Sequence, residues 1–233
     1  MEIEMKETEK ILKAAKAGGR NRLSEFESKQ VLSRYDIPVV RETLVKNFEQ
    51  ATSAASAIGY PVALKACSSA ISHKTEGGLI ALDIKDEKAL CSGFEDIQKK
   101  AEGMGADFLV QEMIAGDREL VMGLVRDPQF GPCVMFGLGG IFTEALSDVS
   151  FRSAPLTEVD ALEMMQEIKG HKILKAFRGM PEVDLAALSK CLIRLGQIGL
   201  DHDIVREIDI NPLIVKGSQP IAVDALIVLD GEA

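Results

Sequence analysis

The 233-residue chain is 46% hydrophobic and 27% charged, ordinary proportions for a folded protein long enough to bury one large core or two small ones. Its formal net charge of −9 excludes a general nucleic-acid binder, which needs a basic surface to neutralise phosphates. No apolar run approaches the roughly 20 residues that span a bilayer.

The opening residues, MEIEMKETEK, lack the basic-then-apolar order of a secretory signal, so the expected compartment is the cytoplasm. Cys67, Cys91, Cys133 and Cys191 are scattered without CxxC or Cys/His spacing. They suggest neither a zinc site nor a disulfide framework, and most read as small core residues.

In chain order, residues 4–17 are rich in Glu, Lys and Ala and stop at Gly18-Gly19, which predicts a helix. Ser24 with Glu27 forms a capping box ahead of a second helix that ends near Asp36-Ile37-Pro38. A strand over Val39–Val45 follows, then a helix capped by Asn47 and closed by Gly59, then the apolar strand Pro61–Lys65. The loop Cys67–Gly78 leads into a strand over Leu79–Ile84 and a helix from Asp86 to about Met104.

Phe108–Ile114, Glu119–Arg126 and Pro132–Gly137 read as three strands of one antiparallel meander. Two helices, Thr157–Lys169 and Asp184–Leu200, precede the strands Val205–Val215 and Ile221–Leu229, which are joined at Lys216-Gly217-Ser218. Without strict βαβ alternation the expected class is α+β, with antiparallel sheets carrying helices on one face. Two subdomains are expected, residues 1–107 and 108–233.

Four segments carry candidate chemistry. Lys65 at a strand end, before a Ser- and Gly-rich loop, suits phosphate oxygens; a solvated lysine and a plain surface loop are the alternative. His73 in that loop is a competent phosphoryl acceptor near neutral pH, or a surface residue with no task.

Phe136-Gly137-Leu138-Gly139-Gly140-Ile141-Phe142-Thr143-Glu144 lets backbone approach a ligand closely, or simply turns; it matches neither a Rossmann nor a P-loop pattern. Arg152, on the following strand, is placed to meet a transferring phosphoryl group. Alternation along Glu207-Ile208-Asp209-Ile210-Asn211-Pro212-Leu213 sets Glu207, Asp209 and Asn211 on one face, with oxygens that suit Mg²⁺. A hairpin at Gly217 would bring Asp224 across from Asn211. Val110-Gln111-Glu112-Met113, followed by Glu119, fits a nucleoside-facing strand or a plain core strand.

Taken together and in this order, the segments resemble the ATP-grasp domain of the β-subunit type of ADP-forming acyl-CoA synthetases, relatives of succinyl-CoA synthetase, over residues 8–229. The most specific pieces are Ser72-His73-Lys74-Thr75-Glu76-Gly77-Gly78 and Glu207-Ile208-Asp209-Ile210-Asn211-Pro212-Leu213. The resemblance implies two subdomains with ATP or ADP bound in the cleft between them. It implies Lys65 on the phosphates, Glu112 and Met113 at the adenine, Glu119 by the ribose or phosphates, and Asn211 and Asp224 on Mg²⁺. His73 would be the phosphohistidine, oriented by Asp209, with Arg152 steadying the phosphoryl group.

The implied reaction is acyl-CoA plus ADP plus phosphate giving acid, CoA and ATP. No segment resembles a CoA-binding Rossmann module, which implies an α-type partner subunit that binds CoA. A carboxylate ligase of the same fold without phosphohistidine, and a nucleotide-binding regulatory subunit without turnover, are the alternatives.

Overall fold

The computed structural model describes residues 2–71, 77–116, 118–140, 148–176 and 179–231. The chain divides into two compact units: a smaller one of Ser24–Phe26 and Val40–Ile114, and a larger one holding the remaining described residues. The contacts do not divide at residue 108, where the sequence suggested a boundary, because the strand beginning there belongs to the sheet of the smaller unit.

The smaller unit is a four-stranded antiparallel sheet in the order β1-β4-β2-β3, from β1 (Glu42–Val45), β2 (Val62–Cys67), β3 (Ile80–Ile84) and β4 (Asp107–Glu112). All six β2 residues are buried, as its interior position between β4 and β3 demands.

The helices of this unit are numbered with the rest of the chain: α1 (Glu2–Ala17) and α2 (Glu25–Arg34) precede α3 (Phe48–Ile58) and α4 (Glu87–Lys100). Asn47 and Asp86 cap α3 and α4 by accepting the Gln50 and Ala89 amides. Leu90, Phe94 and Ile97 recur at helical spacing on α4 and bury with Val62, Leu64, Ala66, Phe108 and Val110. One face of the sheet is therefore apolar and helix-covered, and the residues between, including Lys65, point the other way.

The larger unit carries β5 (Glu119–Asp127), β6 (Gly131–Leu138), β7 (Val149–Ser153), β8 (Val205–Lys216), β9 (Gln219–Ala222) and β10 (Leu226–Leu229). They form an antiparallel sheet in the order β10-β8-β5-β6-β7, with β9 also on β8. The expected three-strand meander is corrected: β5 and β6 pair, while β4 joins β1 and β2. The final expected strand is two short ones, β9 and β10, both on β8.

Helices α5 (Glu158–Glu167) and α6 (Leu185–Asp201), with α1 and α2, pack Leu12, Leu32, Met164, Leu192 and Leu195 against Leu124, Val134, Phe136 and Ile208. A capping box between Thr157 and Asp160 starts α5. Cys67 and Cys191 are buried, whereas Cys91 and Cys133 are half-buried. Among the described residues no helix is long and apolar enough to cross a membrane.

Candidate functional site

In the smaller unit, Lys65 is buried, and its ammonium donates to the Glu25 carboxylate at 2.7 Å. Both partners are almost fully enclosed, with side chains 3% and 1% exposed. A solvated lysine is thereby excluded. Glu112 ends β4, its carboxylate accepting from Arg41 Nε at 2.7 Å and its amide donating to the Arg41 carbonyl. The Met113 amide reaches the Pro61 carbonyl at 3.4 Å. His73 lies outside the described residues, as do Ile141, Phe142, Thr143 and Glu144 of the glycine segment.

In the larger unit the glycine segment meets Glu119. The Gly139 amide donates to the Glu119 carbonyl at 2.9 Å. A Cβ on Gly139 would stand 2.9 Å from backbone atoms of Glu119 and Leu120, so only glycine permits this approach. Gly140 has φ +64, and a Cβ there would lie 2.8 Å from Glu119 Oε2. The exposed Glu119 side chain and the two glycines, 20 and 21 residues further along the sequence, thus share one place.

Strand β8 is interior, with β5 on one side and β9 and β10 on the other. This rules out an exposed edge strand. The register joins Leu213 to Ala222 and Asp209 to Leu226, so stepping inward by two residues from either side sets Asn211 opposite Asp224. The Val223 amide donates to the Pro212 carbonyl at 3.1 Å, closing the hairpin where the strand pairing pauses.

Burial, then the negative charges of Glu207 and Asp224, push the Asp209 carboxyl up to about 6. The Asp224 carboxylate and the Asn211 amide oxygen opposite it are oxygen donors of the kind that fit a hard divalent cation such as Mg²⁺, and Glu207 and Asp209 on the same strand add negative charge nearby. No group of three or more His, Cys, Asp and Glu with metal-ligand geometry occurs among the described residues, so any cation here would need Asn211 or a ligand from outside the chain.

Arg152 lies elsewhere. The ladder links Ile208 to Leu124, Leu124 to Val134, and Val134 to Arg152, which puts Arg152 on the helix-covered face. Asp209, paired with Gly123, faces the other way. The Arg152 guanidinium binds Glu167 of α5 at 2.9 Å and lies near Glu163, and the Glu167 contact raises its pKa. The structure places Arg152 with α5 and not beside the carboxylate cluster.

An ATP-grasp domain model matches residues 14–229. The chain is 42% identical over 224 residues to the β subunit of acetate–CoA ligase (ADP-forming) I from Pyrococcus furiosus, covering 94% of this chain and 96% of that one. The chain belongs to the ATP-grasp family, among the β subunits of ADP-forming acetate–CoA ligases.

Solved ATP-grasp relatives superpose closely. Acetyl-coenzyme A synthetase 1 of Ca. Korarchaeum cryptofilum, in complex with coenzyme A, Ca-AMPCP and HgCl+, gives a TM-score of 0.91 at 42% identity, covering 95% of this chain and 99% of that one. The same protein with coenzyme A and Mg-AMPPCP, its phosphohistidine segment pointing towards the nucleotide binding site, gives 0.86 at 41% identity, covering 96% and 100%.

Beyond the residues expected from sequence, this ATP-grasp chain shows four that support them. Glu25 holds Lys65, and Arg41 holds Glu112. Ser28 Oγ accepts from the Ile227 amide at 3.1 Å, and Lys29, 1% exposed, donates to the Val223 carbonyl at 3.2 Å. Helix α2 thereby anchors both ends of the segment that carries Asp224. The sequence signal at this place is a capping box, with Glu27 as its acidic member. In the structure Glu27 takes both guanidinium nitrogens of Arg20, at 2.7 and 2.8 Å.

Proposed function

We propose that the chain is the nucleotide-handling β subunit of an ADP-forming acyl-CoA ligase, passing a phosphoryl group between a histidine and ADP. The observation that supports this most directly is Asn211 opposite Asp224, beside the half-buried Asp209, on one face of an interior strand.

In this reading Lys65 meets the phosphate chain as a fixed positive charge. Glu112 and Met113 flank the adenine, and Glu119, held against Gly139 and Gly140, meets ribose or phosphate oxygens. Asn211 and Asp224 hold Mg²⁺, which when bound neutralises phosphate charge and fixes its geometry. His73 carries the phosphoryl group: its N–P bond breaks as a terminal oxygen of ADP forms the new P–O bond, and the imidazole is released neutral. Asp209 orients that imidazole as hydrogen-bond acceptor. The chain's own contribution is positioning and charge neutralisation.

A CoA-binding α-type partner completes the enzyme, since acyl-CoA cleavage needs a CoA site that no segment here resembles. The acyl group taken is a small carboxylate, by analogy with the acetate–CoA ligase relatives.

The test is incubation with γ-labelled ATP and Mg²⁺, with and without an α-type partner, followed by acid and base treatment. Base-stable, acid-labile label that is absent in His73→Ala supports the relay. Nucleotide binding with no label, partner present, overturns it in favour of a ligase without phosphohistidine or a subunit without turnover.

A further inference from the structure

Lys65 sits in the middle of the sheet of the smaller unit, opposite Leu109 of β4 and Ile80 of β3. Its stem runs among buried residues, and its ammonium meets the carboxylate of Glu25, the first residue of α2 and 40 positions earlier in the chain. The 2.7 Å separation, with side chains 3% and 1% exposed, defines a desolvated ion pair and not a surface contact.

Such a pair is a poor device for stability. Withdrawing two charges from water offsets most of their attraction, and an apolar pair of equal volume serves a fold as well or better. What the pair does supply is direction. A lysine stem has four rotatable bonds and loses that freedom only when its end is held. Glu25 takes one of three N–H donors, and so fixes where the ammonium sits before an anion arrives. The same carboxylate keeps the ammonium compensated in the absence of ligand, at a depth where an isolated charge would be costly.

We propose that Glu25 is a positioning residue of the nucleotide site, holding the Lys65 ammonium aimed for the phosphate chain. This rests on the reading of Lys65 as a phosphate contact. Glu25 itself touches no nucleotide; it acts through Lys65, and its effect is confined to the phosphate end of the ligand. That confinement separates the proposal from a purely structural link between Glu25 and β2, which would affect every part of the ligand alike.

Calorimetric titration of the full chain with Mg-ATP and, separately, with adenosine provides the test, on the native protein, Glu25→Gln, Glu25→Asp and Lys65→Met. Glu25→Gln should weaken Mg-ATP about tenfold or more, the scale of one charge-assisted hydrogen bond, while adenosine stays within about twofold. Glu25→Asp, which retains the carboxylate one methylene further back, should recover part of the ATP affinity and remains informative if the Gln variant does not fold.

Equal losses for ATP and adenosine in both Glu25 variants would reduce the pair to a structural link and overturn the inference. So would unchanged ATP affinity in both variants while Lys65→Met loses it. If Lys65→Met itself binds Mg-ATP as tightly as the native chain, the reading of Lys65 fails first, and the inference with it.

Discussion

Asp209 on β8 and Arg152 on β7 lie on opposite faces of the same antiparallel sheet, with two strands, β5 and β6, between them. Side-chain direction alternates along each strand and is shared across directly paired residues. Arg152 is therefore committed to α5, and the carboxylate cluster gathers without it.

Substituting Arg152 accordingly tests the register. Arg152→Ala should lower stability by about 0.5–1 kcal/mol, the scale of a partly exposed ion pair, and leave Mg-ATP affinity unchanged. Thermal melting and nucleotide titration read the two effects, and a large loss of affinity with an unshifted melting point would contradict the face assignment.

Asp209 gives the metal-free protein a pH signature. Its carboxyl is raised from 3.8 to about 6 by burial and by Glu207 and Asp224. Below about pH 3 it is protonated folded and unfolded, and contributes nothing. As pH rises from about 3 to 6 the unfolded chain ionises while the folded one resists, so stability is lost across that window and stays lost above it, on the order of 2 kcal/mol. Asp209→Asn should melt higher than the native chain at pH 7.5, with the gap closing towards pH 5. Added Mg²⁺ should narrow the gap at pH 7.5 by stabilising the native chain.

The facing of Asn211 and Asp224 predicts shared dependence on the cation. Asn211→Ala and Asp224→Ala should each weaken Mn²⁺ binding in the presence of nucleotide by at least about tenfold, one lost ligand being worth more than about 1.4 kcal/mol. The double variant should lose little beyond either single one if both bind one ion. Electron paramagnetic resonance of free Mn²⁺ gives the measurement, and additive losses would place the residues at separate sites.

Two glycines separate backbone from side-chain packing near Glu119. Gly139→Ala drives a Cβ into the backbone of Glu119 and Leu120, so it should destabilise the chain by about 1–3 kcal/mol. Gly140→Ala displaces the movable end of the Glu119 side chain and strains a left-handed residue, at about 1 kcal/mol. Its larger effect should be on nucleotide affinity. Chemical denaturation and ATP titration of both variants distinguish the two, and equal profiles would remove Glu119 from the site.

Much of this was legible along the chain. Asn47 and Asp86 announce helices by local capping chemistry, and each caps its helix; Thr157 and Asp184, expected as helix starts, prove to be caps as well. The alternation Glu207-Asp209-Asn211 needs only the period of a strand to place three polar side chains on one face. Gly217, with φ +63, closes the hairpin that brings Asp224 back. Sheet membership was less accessible: β4 follows the pattern of β5 and β6 but pairs with β2, because the choice between sheets depends on which hydrophobic face each strand completes.

By itself the sequence determined the elements, their order, and the family to which they belong, since caps, turns and periodicity act over a few residues. Only the tertiary structure decided that Lys65 meets Glu25, that Ser28 and Lys29 anchor the Asp224 segment, and that Arg152 turns away from Asp209. Those outcomes depend on strand register and on contacts between residues tens to hundreds of positions apart, and a one-residue change of register reverses every side chain on a strand.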